Sequence, residues 1–162
     1  MSEHTIEVQI LSEEALQMEQ EVGQEPLRLA AMAVLQTLAG NTPGELTVVI
    51  TGDETLQTLN CRYRGVDAPT DVLAFPDETR RPFVGAPGIP RYWGDVIISF
   101  PQAKRQAAEA HHSVTAELQL LVIHGVLHLL GFDDQESKER ERMWAAQSQI
   151  LHQLGLHIQM PE

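Results

Sequence analysis

The chain has 162 residues, 43% of them hydrophobic, with 23 acidic residues against 11 lysines and arginines and a net charge of −12. That length suits one core of two packed layers, and so acidic a balance opposes non-specific attachment to nucleic acid or to a membrane surface. The single cysteine, Cys61, excludes an internal disulfide and fits a reducing compartment. The opening MSEHTIEVQI lacks the features of a secretory signal, and the most apolar windows, 27–38 and 118–130, are too short to span a bilayer and carry polar residues. The expectation is a cytoplasmic protein, one domain over 1–162, away from membranes.

Residues 5–11 alternate, Ile6, Val8 and Ile10 against Glu7 and Gln9, which predicts a half-buried strand. Residues 25–38 have helical apolar spacing with Pro26 in the first turn, and Gly40, Asn41, Pro43 and Gly44 break the helix. The apolar, β-branched run 46–51 predicts a central strand. Asp53 suits the N-cap of a helix over 54–63, with Leu56 and Leu59 on its core face. A polar connection leads to a short strand over 72–75, closed by Pro76. The Pro- and Gly-rich run 77–90 has no periodicity and predicts a flexible loop. WGDVIISF, 93–100, predicts a fourth strand, and Pro101 opens a helix to about Ala110. Residues 117–130 are apolar on nearly every face, so they predict a buried helix capped by Ser113 or Thr115. Asp133 and Glu136 have capping-box spacing for a last helix over 135–154, ended by Gly155. Strands and helices do not alternate cleanly, which predicts an α+β fold with one small mixed sheet of about four strands packed with helices.

The buried helix holds His124 and His128. Four residues apart places both imidazoles on one face, a turn above each other. Gly131 can then take the left-handed conformation that ends a helix, and the chain reverses through Phe132, Asp133 and Asp134. Two histidines and a carboxylate can supply three ligands to one divalent ion and leave a position for water, the pattern of a catalytic rather than a structural zinc site. The alternative is a pair of core histidines, each satisfied by a hydrogen bond. No glutamate follows His124, where H-E-x-x-H peptidases carry their base; the residue there is Gly125, which lets a backbone or a substrate come close.

Two further polar residues are candidates. Arg64, between a helix and a strand, could hold a phosphate bidentately, or form a surface salt bridge to Asp67 or Asp71. Asp95, in an otherwise apolar strand, wants a partner such as a histidine, a metal-held water or an arginine, or faces solvent from an edge strand.

Three segments, LNCRYRGVDAPTDVLAFP (59–76), GDVIIS (94–99) and HGVLHLLGFDD (124–134), together resemble the YbeY family of bacterial endoribonucleases in order and spacing. The resemblance implies a zincin-like hydrolase with one zinc ion, acting on single-stranded RNA in ribosomal RNA maturation, notably at the 3′ end of the small-subunit 16S RNA, and in ribosome quality control. By position, His124 and His128 match the first two metal ligands, with His124 central to catalysis. Arg64 matches the functional arginine, and Asp95 the acid of the G-D segment. The family's third ligand, a final histidine, is replaced by Asp134. Carboxylate oxygen binds zinc at about the same distance as imidazole nitrogen, but the added charge favours harder ions such as manganese or magnesium. Two alternatives stand beside this. Asp134 could serve only to cap the last helix, and the chain could be a non-catalytic ribosome-assembly factor with a weakened metal site. With a charge of −12, RNA must meet a local basic groove near Arg62, Arg64, Arg80, Arg81 and Arg91, or be delivered by small-subunit ribosomal proteins or an assembly GTPase.

Overall fold

Four strands and six helices make up the computed structural model, which describes residues 4–40, 43–77, 90–156 and 158. In chain order they are β1 (Thr5–Ile10), α1 (Leu16–Glu21), α2 (Glu25–Leu38), β2 (Gly44–Thr51), α3 (Asp53–Arg64), β3 (Val72–Pro76), β4 (Arg91–Ser99), α4 (Phe100–Ala110), α5 (Val114–Leu129) and α6 (Ser137–Gln153). The sheet runs β1-β2-β4-β3, parallel except for β3, which lies antiparallel to β4 at one edge. It is the α+β architecture expected from the mixed element order.

Alternation along the strands sorts side chains to two faces. Ile6, Val8, Leu46, Val48, Ile50, Val96 and Ile98 form the inner row and join α2, α5 and α6 in the main core. The register puts Val49, Ile97 and Leu73 side by side on the outer face. α3 packs on β3 and β4 with Leu56 fully buried. Helices therefore cover both faces, the inner one more thickly.

α5 lies at the centre of the inner layer. Its side chains are buried on almost all sides, as an all-round apolar helix requires. The Ser113 hydroxyl caps it by accepting from the Ala116 amide at 3.0 Å. Glu117, buried in the first turn where the helix dipole favours an acid, accepts from the Gln106 amide at 3.0 Å and meets His112 Nε2 at 2.6 Å. The same Gln106 amide reaches Asp71 at 3.2 Å, just before β3. These bonds pin the start of α5 to α4 and to the edge strand. Gly125 is where the helix touches the sheet: a Cβ there would lie 2.5 Å from Val96 Cγ1. The close approach anticipated at Gly125 is thus made by β4 and leaves no room for substrate.

Two local expectations are corrected, and one helix was not anticipated. Asp53 does not cap α3; it is the first helical residue, and Gly52 holds the cap position. Its carboxylate instead accepts from the Ser99 hydroxyl and from Arg105, each at 2.6 Å. Burial alone would raise the Asp53 pKa, but these hydrogen bonds and the Arg105 charge outweigh it and the net shift is downward. Asp133 and Glu136 form no capping box: α6 starts at Ser137 without a side-chain cap, and Asp133 Oδ1 accepts from the amides of Asp134 at 2.7 Å and Gln135 at 3.2 Å. The short helix α1, with Met18 as its only buried residue, had no periodic signature to predict it. Most of the 77–90 run lies outside the described residues.

Gly125→Ala should destabilise the protein by about 1–3 kcal/mol, because the stiff Val96 side chain cannot yield without moving β4. Urea denaturation would measure this, and adding Val96→Ala should recover part of the loss.

Candidate metal centre

α5 ends in a left-handed reversal. Gly131 has φ of 100°, its amide reaches the His128 carbonyl at 3.0 Å, and the Phe132 amide reaches the Leu127 carbonyl at 3.0 Å. This paired 5→2 and 6→1 bonding is the Schellman motif, which turns the chain back over the last helical turn. Phe132 packs against the core, and the Arg140 guanidinium donates to the Asp134 carbonyl at 3.1 Å. The reversal therefore carries the Asp134 carboxylate back toward the histidines, with Oδ2 at 3.9 Å from His124 Nε2.

His124 and His128 meet nitrogen to nitrogen, Nε2 to Nε2, at 3.1 Å, with their rings steeply inclined at 76°. His124 Nδ1 lies 2.7 Å from the Oε1 atom of Gln147 on α6. An amide oxygen only accepts, so Nδ1 carries the proton and Nε2 presents a bare lone pair. One ligand atom from each of His124, His128 and Asp134 lies within 4.8 Å of the others. Ligands placed tetrahedrally about 2.0–2.1 Å from zinc sit roughly 3.3 Å apart, so the histidine pair has almost the spacing an ion requires and the carboxylate needs a small inward shift. The donor chemistry, two neutral imidazoles and one carboxylate, fits a divalent cation. Side-chain exposures of 28% for His124 and 44% for Asp134 leave one side of the cluster open. The His128 pKa is lowered, first by burial and then by the neighbouring His124, against the raising influence of Asp134, the Phe132 main chain and Asp133. Its imidazole therefore stays neutral, as a ligand must, to a pH below that of a free histidine.

Gln147 escaped the sequence reading. It lies in the buried stripe of α6 with Met143 and Ile150, and an amide at that position in an apolar stripe was the available signal.

Arg64 and Asp95 lie elsewhere. Val96 faces α5, so Asp95 faces the opposite side of the sheet. β4 is an interior strand, so Asp95 is not an edge carboxylate. It pairs in register with Thr47 and Phe75. A bulge at Trp93, opposite the Glu45–Leu46 step, brings Tyr92 to this outer face as well. The Tyr92 hydroxyl donates to Asp95 Oδ1 and lies 2.8 Å from the Thr47 hydroxyl. Arg64, exposed at the end of α3, forms no hydrogen bond or ion pair with a described residue, and the salt bridge to Asp67 or Asp71 is not made. Next to it, Tyr63 meets the Phe75 ring edge-on at 5.2 Å and Arg62 lies over Tyr63. Arg91 stacks over Trp93 at 3.8 Å. Arg80 and Arg81 lie outside the described residues.

Burial, followed by the hydrogen bond to Asp95, pushes the Tyr92 phenol up to about 12. In a Tyr63→Phe protein, ultraviolet titration follows Tyr92 alone and should show ionisation near that value; adding Asp95→Asn should lower it.

Comparison with known proteins gives the family. The model of the family described as endoribonuclease YbeY matches residues 8–155. A protein named endoribonuclease YbeY from Roseiflexus castenholzii is 47% identical over 132 residues, spanning 79% of this chain and 83% of its own. Its namesake from Chloroflexus aurantiacus is 44% identical over 155 residues, spanning 94% and 97%. The solution structure of TM1509 from Thermotoga maritima, only 21% identical, superposes with a TM-score of 0.53 over 93% of this chain and 91% of that one, a likeness of fold. The match over most of the sequence, with two histidines and a carboxylate gathered at the end of its central helix, makes this chain a member of the endoribonuclease YbeY family.

Proposed function

We propose that this chain is a metal-dependent endoribonuclease that cuts single-stranded RNA during ribosomal RNA maturation, including that of the 16S 3′ end, and that the whole of 1–162 serves this as one hydrolase domain. The observation that carries the reading is the convergence of His124, His128 and Asp134 within 4.8 Å in a chain of this family. Those three residues would hold one divalent ion, which when bound supplies positive charge for a phosphoryl oxygen and makes water easier to ionise near neutral pH.

The chain's own residues do the rest. His124 and His128 bring their Nε2 atoms within 3.1 Å of each other on a buried helix, so the pair needs little reorganisation. Asp134 contributes the ligand set's one negative charge, which leaves a divalent site positive toward a phosphodiester. The open side beside His124 and Asp134 admits the RNA strand. Arg64, exposed and without a described ion-pair partner, would neutralise a backbone phosphate and draw RNA to an otherwise acidic protein. Asp95 would act at a distance from the ion, as the acceptor that orients Tyr92. One zinc ion is the expected occupant, and the carboxylate at position 134 also suits manganese or magnesium. Ribosomal proteins of the small subunit or an assembly GTPase would bring the RNA, and the same activity would serve ribosome quality control. The chain carries no helix among its described residues long and apolar enough to cross a membrane, which accords with work in the cytoplasm.

A single-stranded RNA incubated with the protein and zinc or manganese should be cleaved. His124→Ala should lower the rate beyond the about 10–100-fold typical of losing an outer-shell partner. Equal cleavage by that variant, or none by the wild type with any divalent ion, overturns the reading. Asp134→His should raise zinc affinity relative to manganese, measured by competition with a chromophoric chelator; an unchanged ratio would show that position 134 does not touch the ion.

A further inference from the structure

We infer that Gln147 is a positioning residue of the metal centre: its amide oxygen accepts a hydrogen bond from His124 Nδ1–H, at 2.7 Å, and so holds Nε2 bare toward His128 and Asp134. The inference rests on the reading of His124 as a ligand, since only then does the state of Nε2 matter.

A neutral imidazole carries its proton on one nitrogen or the other. If His124 carried it on Nε2, that N–H would point at His128 Nε2, 3.1 Å away, and make a histidine–histidine hydrogen bond. That bond would occupy the space between the nitrogens and withdraw both lone pairs from an ion. An acceptor at Nδ1 selects the other tautomer. Gln147 is well suited to this task. It is 4% exposed, held in a helix between Met143 and Ile150, one turn to either side, so its rotamer is confined by packing. A buried amide oxygen left unpaired is costly, which ties its orientation to the His124 ring.

The acceptor is also uncharged. A carboxylate at this place would push negative charge into the imidazole and raise its basicity. An amide brings no charge of its own, and Asp134 supplies the carboxylate of the cluster. The same helix reaches the other limb of the site through Arg140, whose guanidinium holds the Asp134 carbonyl at 3.1 Å. Arg140 and Gln147 are seven residues apart, about two turns or 10 Å of helix, so one face of α6 braces both sides of the cluster.

The test uses the full chain and two variants. Gln147→Met keeps length and removes the acceptor; Gln147→Glu keeps an acceptor. Long-range proton–nitrogen spectra of the metal-free protein should show His124 as the Nδ1–H tautomer in the wild type and in Gln147→Glu, with Nε2–H emerging in Gln147→Met. Zinc affinity, by competition with a chromophoric chelator, should fall about 10–100-fold in Gln147→Met and be largely restored in Gln147→Glu. Nε2–H in the wild type, unchanged zinc affinity in Gln147→Met, or equal weakening by both variants would overturn the inference, the last by revealing a packing role alone. If Gln147→Met does not fold, the wild-type tautomer and the Gln147→Glu affinity still decide it. A wild type that binds no zinc would instead remove the metal-centre reading, while the tautomer spectrum still judges Gln147.

Discussion

Two ring nitrogens aimed at each other across 3.1 Å are stable only with a positive charge or a shared proton between them, because facing lone pairs repel. Much of the inner layer can be understood as the scaffold for that arrangement. α5 is buried so that its histidines cannot swing apart. Gly125 lets the helix settle on Val96, and the Glu117 cluster fixes where along the sheet the helix begins. The Gly131 reversal then returns the chain over its own last turn, which is how a carboxylate ten positions beyond His124 comes to lie beside it.

The sheet divides the polar residues into two groups with different work. The inner side, at the end of α5, holds the histidine and carboxylate cluster that could take a cation. The outer side holds Tyr92, Thr47 and Asp95 in one hydrogen-bonded row, and the arginines and aromatic rings of α3 and β3 lie on that side. A polymeric substrate makes sense of such a division, because an RNA strand is long enough to touch groups that never meet each other. In an acidic protein, an exposed arginine such as Arg64, without an ion-pair partner among the described residues, would give local direction without making the whole surface adhesive to nucleic acid.

How much of this was legible in the sequence follows from the range of the forces involved. The α2 boundaries, the end of α5 at Gly131 and the histidine face depend on neighbours within a turn or two, and their residues declare them; the α5 cap was narrowed to Ser113 or Thr115, and Ser113 fills it. The contacts that were missed are long-range. Asp53 reads as a helix cap until Arg105 and Ser99 arrive from α4 and β4. Asp133 and Glu136 have capping-box spacing, yet the Asp133 side chain turns to the two amides just after it. Asp95 sits in a segment that resembles a functional motif, but its face of the sheet is set by strand register, and a single bulge at Trp93 decides that Tyr92 will be its neighbour. Gln147 is twenty-three positions from the histidine it supports, a pairing that no local pattern announces.

All three candidate ligands belong to one short stretch, from His124 to Asp134. The loop that an ion would close is therefore small, and little chain entropy is lost in closing it. Closing it would call on the end of α5, its reversal and the α6 side chains that brace them. An ion held there would act as a local clasp, tying the last turn of the central helix to the chain that leaves it and asking little of the far strands of the sheet.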